Sequence, residues 1–138
     1  MQMGKHTKPG AFSLISIRVR PDEGQKLQEL SMPVLGQLAQ LPGFISWTGL
    51  FAHNCGYTIT AWEDAESASQ LLRPGAHREA MKVFFGSEFA EGGMTSVWIP
   101  HHINALWVRC TACRRMQYYD QNNGKCQCGE SLQHLPYW

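Results

Sequence analysis

Four of the five cysteines in this 138-residue chain lie between positions 110 and 128. Cys110-Thr111-Ala112-Cys113 is a two-residue knuckle, and Cys126-Gln127-Cys128-Gly129 is a tighter one, with twelve residues between the pairs. Two turns at this spacing can present four thiolates tetrahedrally to one Zn²⁺. Closed four-sulfur coordination leaves no position for water, so the expected role is structural. A segment of about thirty residues buries too little core to fold alone, and metal binding would supply the missing free energy. Rubredoxin-type iron and a pair of disulfides are the other readings of the same ligand set, and disulfides require an oxidising compartment. The ribbon's basic residues are Arg109, Arg114, Arg115 and Lys125, with Tyr118, Tyr119 and Trp138 as possible stacking surfaces.

The other residues able to do chemistry are scattered through the first hundred positions. His77 falls in helical register with Met81 and Phe84, on the stripe that packs toward a sheet. It is either a satisfied core histidine or a proton acceptor or donor facing a pocket. Trp47, Trp62 and Trp98 fall on three separate strands, with Phe84 and Phe85 on a facing helix. Such aromatics fill a core, or a subset of them lines a flat aromatic ligand. His101 and His102 are adjacent on an extended run, so at most one faces inward. Asn104, just beyond, could donate a hydrogen bond to a substrate carbonyl or to dioxygen. Cys55, in the crowded loop His53-Asn54-Cys55, is the odd cysteine and has no assigned role. There is no Ser/His/Asp signature, phosphate-binding glycine loop, or flavin or nicotinamide fingerprint, so no organic cofactor is expected. Glu63, Asp64 and Glu66 sit where helix capping suffices to explain them.

The elements that must position these residues are legible from periodicity. Phe12 to Arg20 alternates as a strand, with Ile15, Ile17 and Val19 on one face. From Pro21-Asp22 a helix carries Leu27, Leu30, Val34, Leu38 and Leu41, with a kink or break expected at Pro33 and Ser31 as a fresh cap. Phe44 to Phe51 and Tyr57 to Trp62 read as strands joined by a hairpin. A second helix runs from Glu63-Asp64 through Leu72, is broken at Pro74-Gly75, and resumes from Ala76 to Phe85. Gly92-Gly93 precedes a strand at Thr95 to Ile99, and Ile103 to Val108 is extended. The order strand, helix, strand, strand, helix, strand gives an α+β class and the ferredoxin-like βαββαβ pattern. Residues 1–10 read as a frayed leader, 11–107 as the main domain and 108–138 as a small zinc ribbon.

Pro42-Gly43-Phe44 opening the second strand, Trp62-Glu63 closing the third, Asp64-Ala65-Glu66 starting the next helix, and His77 along it together resemble the antibiotic biosynthesis monooxygenase family. The resemblance covers about residues 12–100. It implies a homodimeric α/β barrel with a substrate pocket between each sheet and its helices. Members include cofactor-independent monooxygenases of polyketide pathways, haem-degrading enzymes and proteins with no known reaction, so it speaks for fold before function. The family position of His77 adds a haem ligand to its possible roles. The Pro74-Gly75 insertion and the cysteine-rich tail depart from most relatives.

Composition bounds the rest. The chain is 43% hydrophobic and 17% charged with a formal net charge of +1, which suits a packed globule and not a charged tail protein. Residues 1–107 hold eight Lys/Arg against nine Asp/Glu, and 108–138 four against two. Tight non-specific nucleic-acid binding needs a larger basic footprint. The apolar runs are too short to span a bilayer, and the N-terminus lacks the apolar core of a signal peptide, so a cytoplasmic protein is expected. The leading expectation is a small-molecule tailoring enzyme resembling cofactor-independent monooxygenases, acting on an aromatic or polyketide-type substrate. Its site would use His77 and Asn104 for chemistry and Trp47, Trp62, Phe84, Trp98 and His101 for binding. The alternatives are a ligand-binding or accessory protein whose ribbon docks a partner, and a haem-binding or haem-degrading protein.

Overall fold

The computed structural model describes residues 8–70, 76–86, 88–119 and 121–133, with the side chains of Ala76, His77 and Ala80 also outside the description. Most of the expected leader, the Leu72 helix end, the Pro74-Gly75 break and Trp138 therefore lie outside the described residues.

The chain divides into two compact units, the first ending at Pro100 and the second beginning at His101. In the first, β1 (Ala11–Val19), α1 (Gly24–Leu38), β2 (Phe44–Ala52), β3 (Cys55–Trp62), α2 (Ala65–Ser69), α3 (Ala76–Gly86) and β4 (Ala90–Trp98) follow one another. The four strands form an antiparallel sheet in the order β2-β3-β1-β4, which is the ferredoxin-like arrangement.

The register separates the two faces. Ala11 opposite Trp62, and Ser13 opposite Thr60, lie on the face that receives α1 and α2. Phe12 opposite Trp98 and Leu14 opposite Ile59 lie on the other. The covered face holds two clusters, Ala11, Leu35, Leu38, Trp62 and Ala68 at one end and Val19, Leu27 and Phe89 at the other. Pro9 is buried and the Gly10 N–H donates to the Trp62 carbonyl at 2.9 Å, so the end of the segment read as a frayed leader already belongs to the sheet.

Several local expectations change. Pro33 does not break α1, which runs continuously from Gly24 to Leu38. Ser31 is no cap; its hydroxyl donates back to the Leu27 carbonyl at 2.7 Å. The apolar stripe of α1 keeps the helix on the sheet, and burial overrides the loss of one backbone donor. β4 begins at Ala90 and includes Gly92-Gly93. A Cβ on Gly93 would stand 2.6 Å from the Ser16 carbonyl oxygen, so the close strand approach requires glycine there. The hairpin between β2 and β3 turns on His53 and Asn54, whose φ values of 49° and 61° fit the type I′ turn that matches strand twist. Gly43, at φ 77°, enters β2 where a Cβ would strike the Ser67 hydroxyl oxygen.

The second unit contains β5 (Trp107–Arg109) and β6 (Met116–Tyr118), an antiparallel pair. β6 is not apparent in the sequence, because three residues are too few to establish a period. The Tyr119 N–H donates to Leu106 O at 2.9 Å, tying residues before 108 to this unit. Its interior is small: Val108, Leu132, Cys110 and Cys126.

Candidate functional sites

A cavity of about 840 Å³ opens in the first unit, between α1, α3 and the β2–β3 end of the sheet. Its walls are mainly apolar. Leu27, Val34 and Leu35 come from α1, Ile15 and Ile17 from β1, and Met81 and Phe84 from α3. Trp47 and Phe51 alternate with Gly49 on β2, so both rings project from the same face. The Trp47 ring passes over Gly49, and Phe51 covers Gly24, where a Cβ would meet the ring at 2.7 Å. Gln25, Gln28, Ser31 and Thr58 supply the few polar side chains. Gln25 is engaged with Glu29 at 3.1 Å. A roomy apolar cleft with a few hydrogen-bonding groups is the usual form of a small-molecule site.

The structure brings only part of the expected site together. Trp47 and Phe84 line the cavity. Trp62 does not: it is fully buried, donates its ring N–H to Thr60 at 2.7 Å and meets Phe44 edge-on at 5.5 Å. It is a core residue because its strand position faces α1 and α2 at the closed end of the sheet. Trp98 is 56% exposed on the opposite face and donates to the Ser96 hydroxyl. His101 and Asn104 belong to the second unit and are exposed, with Asn104 Oδ1 3.2 Å from the His102 ring nitrogen Nε2. Position 77 lies on α3 one turn before Met81, and its side chain is outside the described residues. Phe51, Gln28 and Leu35 were not singled out. Phe51 was legible as the i+4 partner of Trp47, whereas the α1 residues carry the same stripe that a core helix would.

On the sheet's other face, the Tyr57 phenol hydrogen-bonds the buried Cys55 thiol. That contact raises its pKa above the ordinary tyrosine value.

The second site is the cysteine cluster. The four Sγ atoms lie within 4.8 Å of one another, with Cys110 to Cys128 at 3.8 Å and Cys113 to Cys126 at 3.5 Å. All four are free thiols. Thiolates 2.3 Å from a tetrahedral Zn²⁺ stand about 3.8 Å apart, so the donor set fits a metal ion. Two backbone turns build it. Arg114 N–H returns to Cys110 O at 3.1 Å and Gly129 N–H to Cys126 O at 2.9 Å, with Arg114 at φ 61° and Gly129 at φ 90°. The backbone N–H of Cys113, with that of Ala112, points at the Cys110 sulfur and lowers its pKa to about 7. The Cys128 N–H pulls Cys126 the same way, but burial and the neighbouring thiols push it up to about 12. Four thiols this close cannot all ionise without a cation.

No family model and no curated protein matches the chain. Solved structures do match. SnoaB, a cofactor-independent oxygenase from Streptomyces nogalater, is 16% identical with a TM-score of 0.55, over 70% of this chain and 97% of that one. A putative antibiotic biosynthesis monooxygenase from Deinococcus radiodurans is 10% identical with a TM-score of 0.59, covering 70% and 98%. NE2512, a protein of unknown function from Nitrosomonas europaea, is 12% identical with a TM-score of 0.58, covering 72% and 96%. The likeness is one of fold. Among the described residues, no helix is long and apolar enough to cross a membrane.

Proposed function

We propose that the first unit is a small-molecule tailoring enzyme of the cofactor-independent monooxygenase type, acting on a flat aromatic or polyketide-like substrate. The observation that carries this reading is the large apolar cavity between sheet and helices, with Trp47, Phe51 and Phe84 in its walls. The fold shared with an oxygenase that works without a cofactor supports it. The substrate slides between the Trp47 ring and α1, and the Gln28 amide orients its oxygens. A base removes a proton from the substrate, and the electron-rich anion reduces dioxygen. For an anthrone the balance is one substrate and one O₂ giving one quinone and one water. His77 is the proposed base, one turn from Met81 on the cavity wall. Oxygen uptake with an anthrone is expected, at least about tenfold slower in His77→Ala. Full activity in that variant removes His77 from the mechanism, and absence of uptake with any anthrone or quinol refutes the enzyme reading.

Two assembly features belong to the same proposal. The sheet face away from the helices carries Ile59, Met94 and Trp98, all exposed. A second copy of the chain on this face would cover them, making a homodimer. The cysteine cluster holds one structural Zn²⁺. Native mass spectrometry of gently purified protein should report two chains, one zinc per chain and any retained ligand. A monomeric or metal-free spectrum refutes the corresponding claim.

An accessory or ligand-binding role is the second reading. The exposed aromatic residues of the metal-site unit favour it, because they suit a docking surface.

A further inference from the structure

We propose that the exposed face of the β5–β6 hairpin docks an acidic protein segment centred on a large apolar side chain. The proposal rests on the reading of the second unit as a metal-held module, and it names the partner that module would recruit. In the register of the pair, Trp107 stands opposite Tyr118 and Arg109 opposite Met116, while Val108 and Gln117 point to the buried side. All four outward residues are exposed: Trp107 by 57%, Met116 by 50%, Tyr118 by 47%, and Arg109 likewise. Trp107 and Tyr118 support the hairpin through their cross-strand contact, but both rings and Met116 remain about half in water. Tryptophan, tyrosine, methionine and arginine are the residues enriched at the centres of protein interfaces.

Charge sets the sign of the partner. Residues 108–138 set four cations, Arg109, Arg114, Arg115 and Lys125, against two acidic residues, Asp120 and Glu130. The Arg109 guanidinium donates to the Arg114 carbonyl at 2.7 Å, which holds it beside the turn and next to the two following arginines. The surface is therefore an apolar centre with a cationic edge at Arg109, Arg114 and Arg115, complementary to an apolar anchor flanked by carboxylates. Single-stranded nucleic acid fits less well. Trp107 and Tyr118 meet edge-on, with rings 5.9 Å apart at 89°, so they do not offer two parallel faces for stacked bases. The chain's net charge of +1 also falls short of a backbone-tracking footprint.

The test pans a phage-displayed random peptide library against full-length, zinc-loaded protein. The triple variant Trp107→Ala, Arg109→Glu, Arg115→Glu serves as counter-selection. Enriched peptides should carry Asp or Glu around an aromatic or aliphatic residue. The best of them should bind about tenfold or more weakly to the variant, and unchanged to Arg78→Glu in the first unit. Basic or neutral consensus sequences, or binding that survives the triple variant, overturn the proposal. Tighter binding of oligo(dT) than of the best peptide overturns it in favour of nucleic acid. Zinc content and anthrone oxidation are measured on the same samples. Protein with one zinc per chain and no acidic consensus fails this proposal alone, whereas metal-free protein fails the module reading beneath it.

Discussion

Removing the metal should unfold one part of this protein and spare the other. Among the described residues of the second unit the buried aliphatic side chains are Leu106, Val108 and Leu132, the last two packed against Cys110 and Cys126. Burying a side chain of that kind contributes about 1.5–3 kcal/mol, so the three supply about 4.5–9 kcal/mol. Structural zinc bound by short peptides contributes about 10–16 kcal/mol near pH 7. Zinc held by the four cysteines would therefore contribute more than the apolar interior of this unit, and without it the ordering of the chain would be uncompensated. The assay is amide hydrogen exchange by mass spectrometry, on protein kept reduced, with and without a strong chelator. The amides of Cys110, Tyr119 and Leu132, which donate to Arg115, Leu106 and Gly124, should lose protection on chelation. Those of β1 and β3, paired at the centre of the other sheet, should keep theirs. Cys110→Ser should reproduce the loss without chelator. Equal protection of the Cys110, Tyr119 and Leu132 amides in chelated, reduced, metal-free protein would refute the reasoning.

Three further outcomes follow from the first unit. Trp62→Ala should cost about 3–5 kcal/mol in urea unfolding, as a core tryptophan does, whereas Trp47→Ala should cost much less and weaken anthrone binding several-fold to about tenfold by titration. Gly43→Ala should destabilise by at least about 1–2 kcal/mol, because its left-handed backbone disfavours a Cβ that would also strike Ser67. Asp64 accepts the Ser67 N–H at 2.7 Å as the cap of α2, and that bond holds its carboxyl below the usual aspartate value. A depressed folded pKa gives stability that is complete above the unfolded value of about 3.9 and fades as pH falls through the folded one. Thermal midpoints of wild type and Asp64→Ala should therefore differ at neutral pH and converge in acid.

The strands were legible where alternation ran long enough, as in Phe12 to Arg20, and where a turn had its own chemistry, as at His53-Asn54. The helix through Pro33 was misread because proline's local cost is visible in sequence, while the compensating burial of Leu27, Leu35 and Leu38 is tertiary. The cysteine cluster was legible because thiols at knuckle spacing have few other uses. The cavity was only half legible. Trp47 and Trp62 look alike in sequence, each aromatic on a strand, and only the position of α1 makes one a wall and the other core. Trp98 shows the same ambiguity between the two faces of a sheet. Tyr57 and Cys55 form a pair that no motif signals, because it arises from two residues sharing one side of β3.

Pro33 has a consequence for the stiffness of the cavity's walls. Without an N–H at that position, the Glu29 carbonyl lacks its i+4 backbone donor. The same turn carries Ser31, Met32, Val34 and Leu35, which form one side of the cavity. Of the enclosing elements, the sheet is laddered on both sides of β1 and β3, but this turn of α1 is held by one backbone hydrogen bond fewer. Its opening costs less than distortion of the strands. The helix side of the cavity is therefore the softer wall and the sheet the stiffer one.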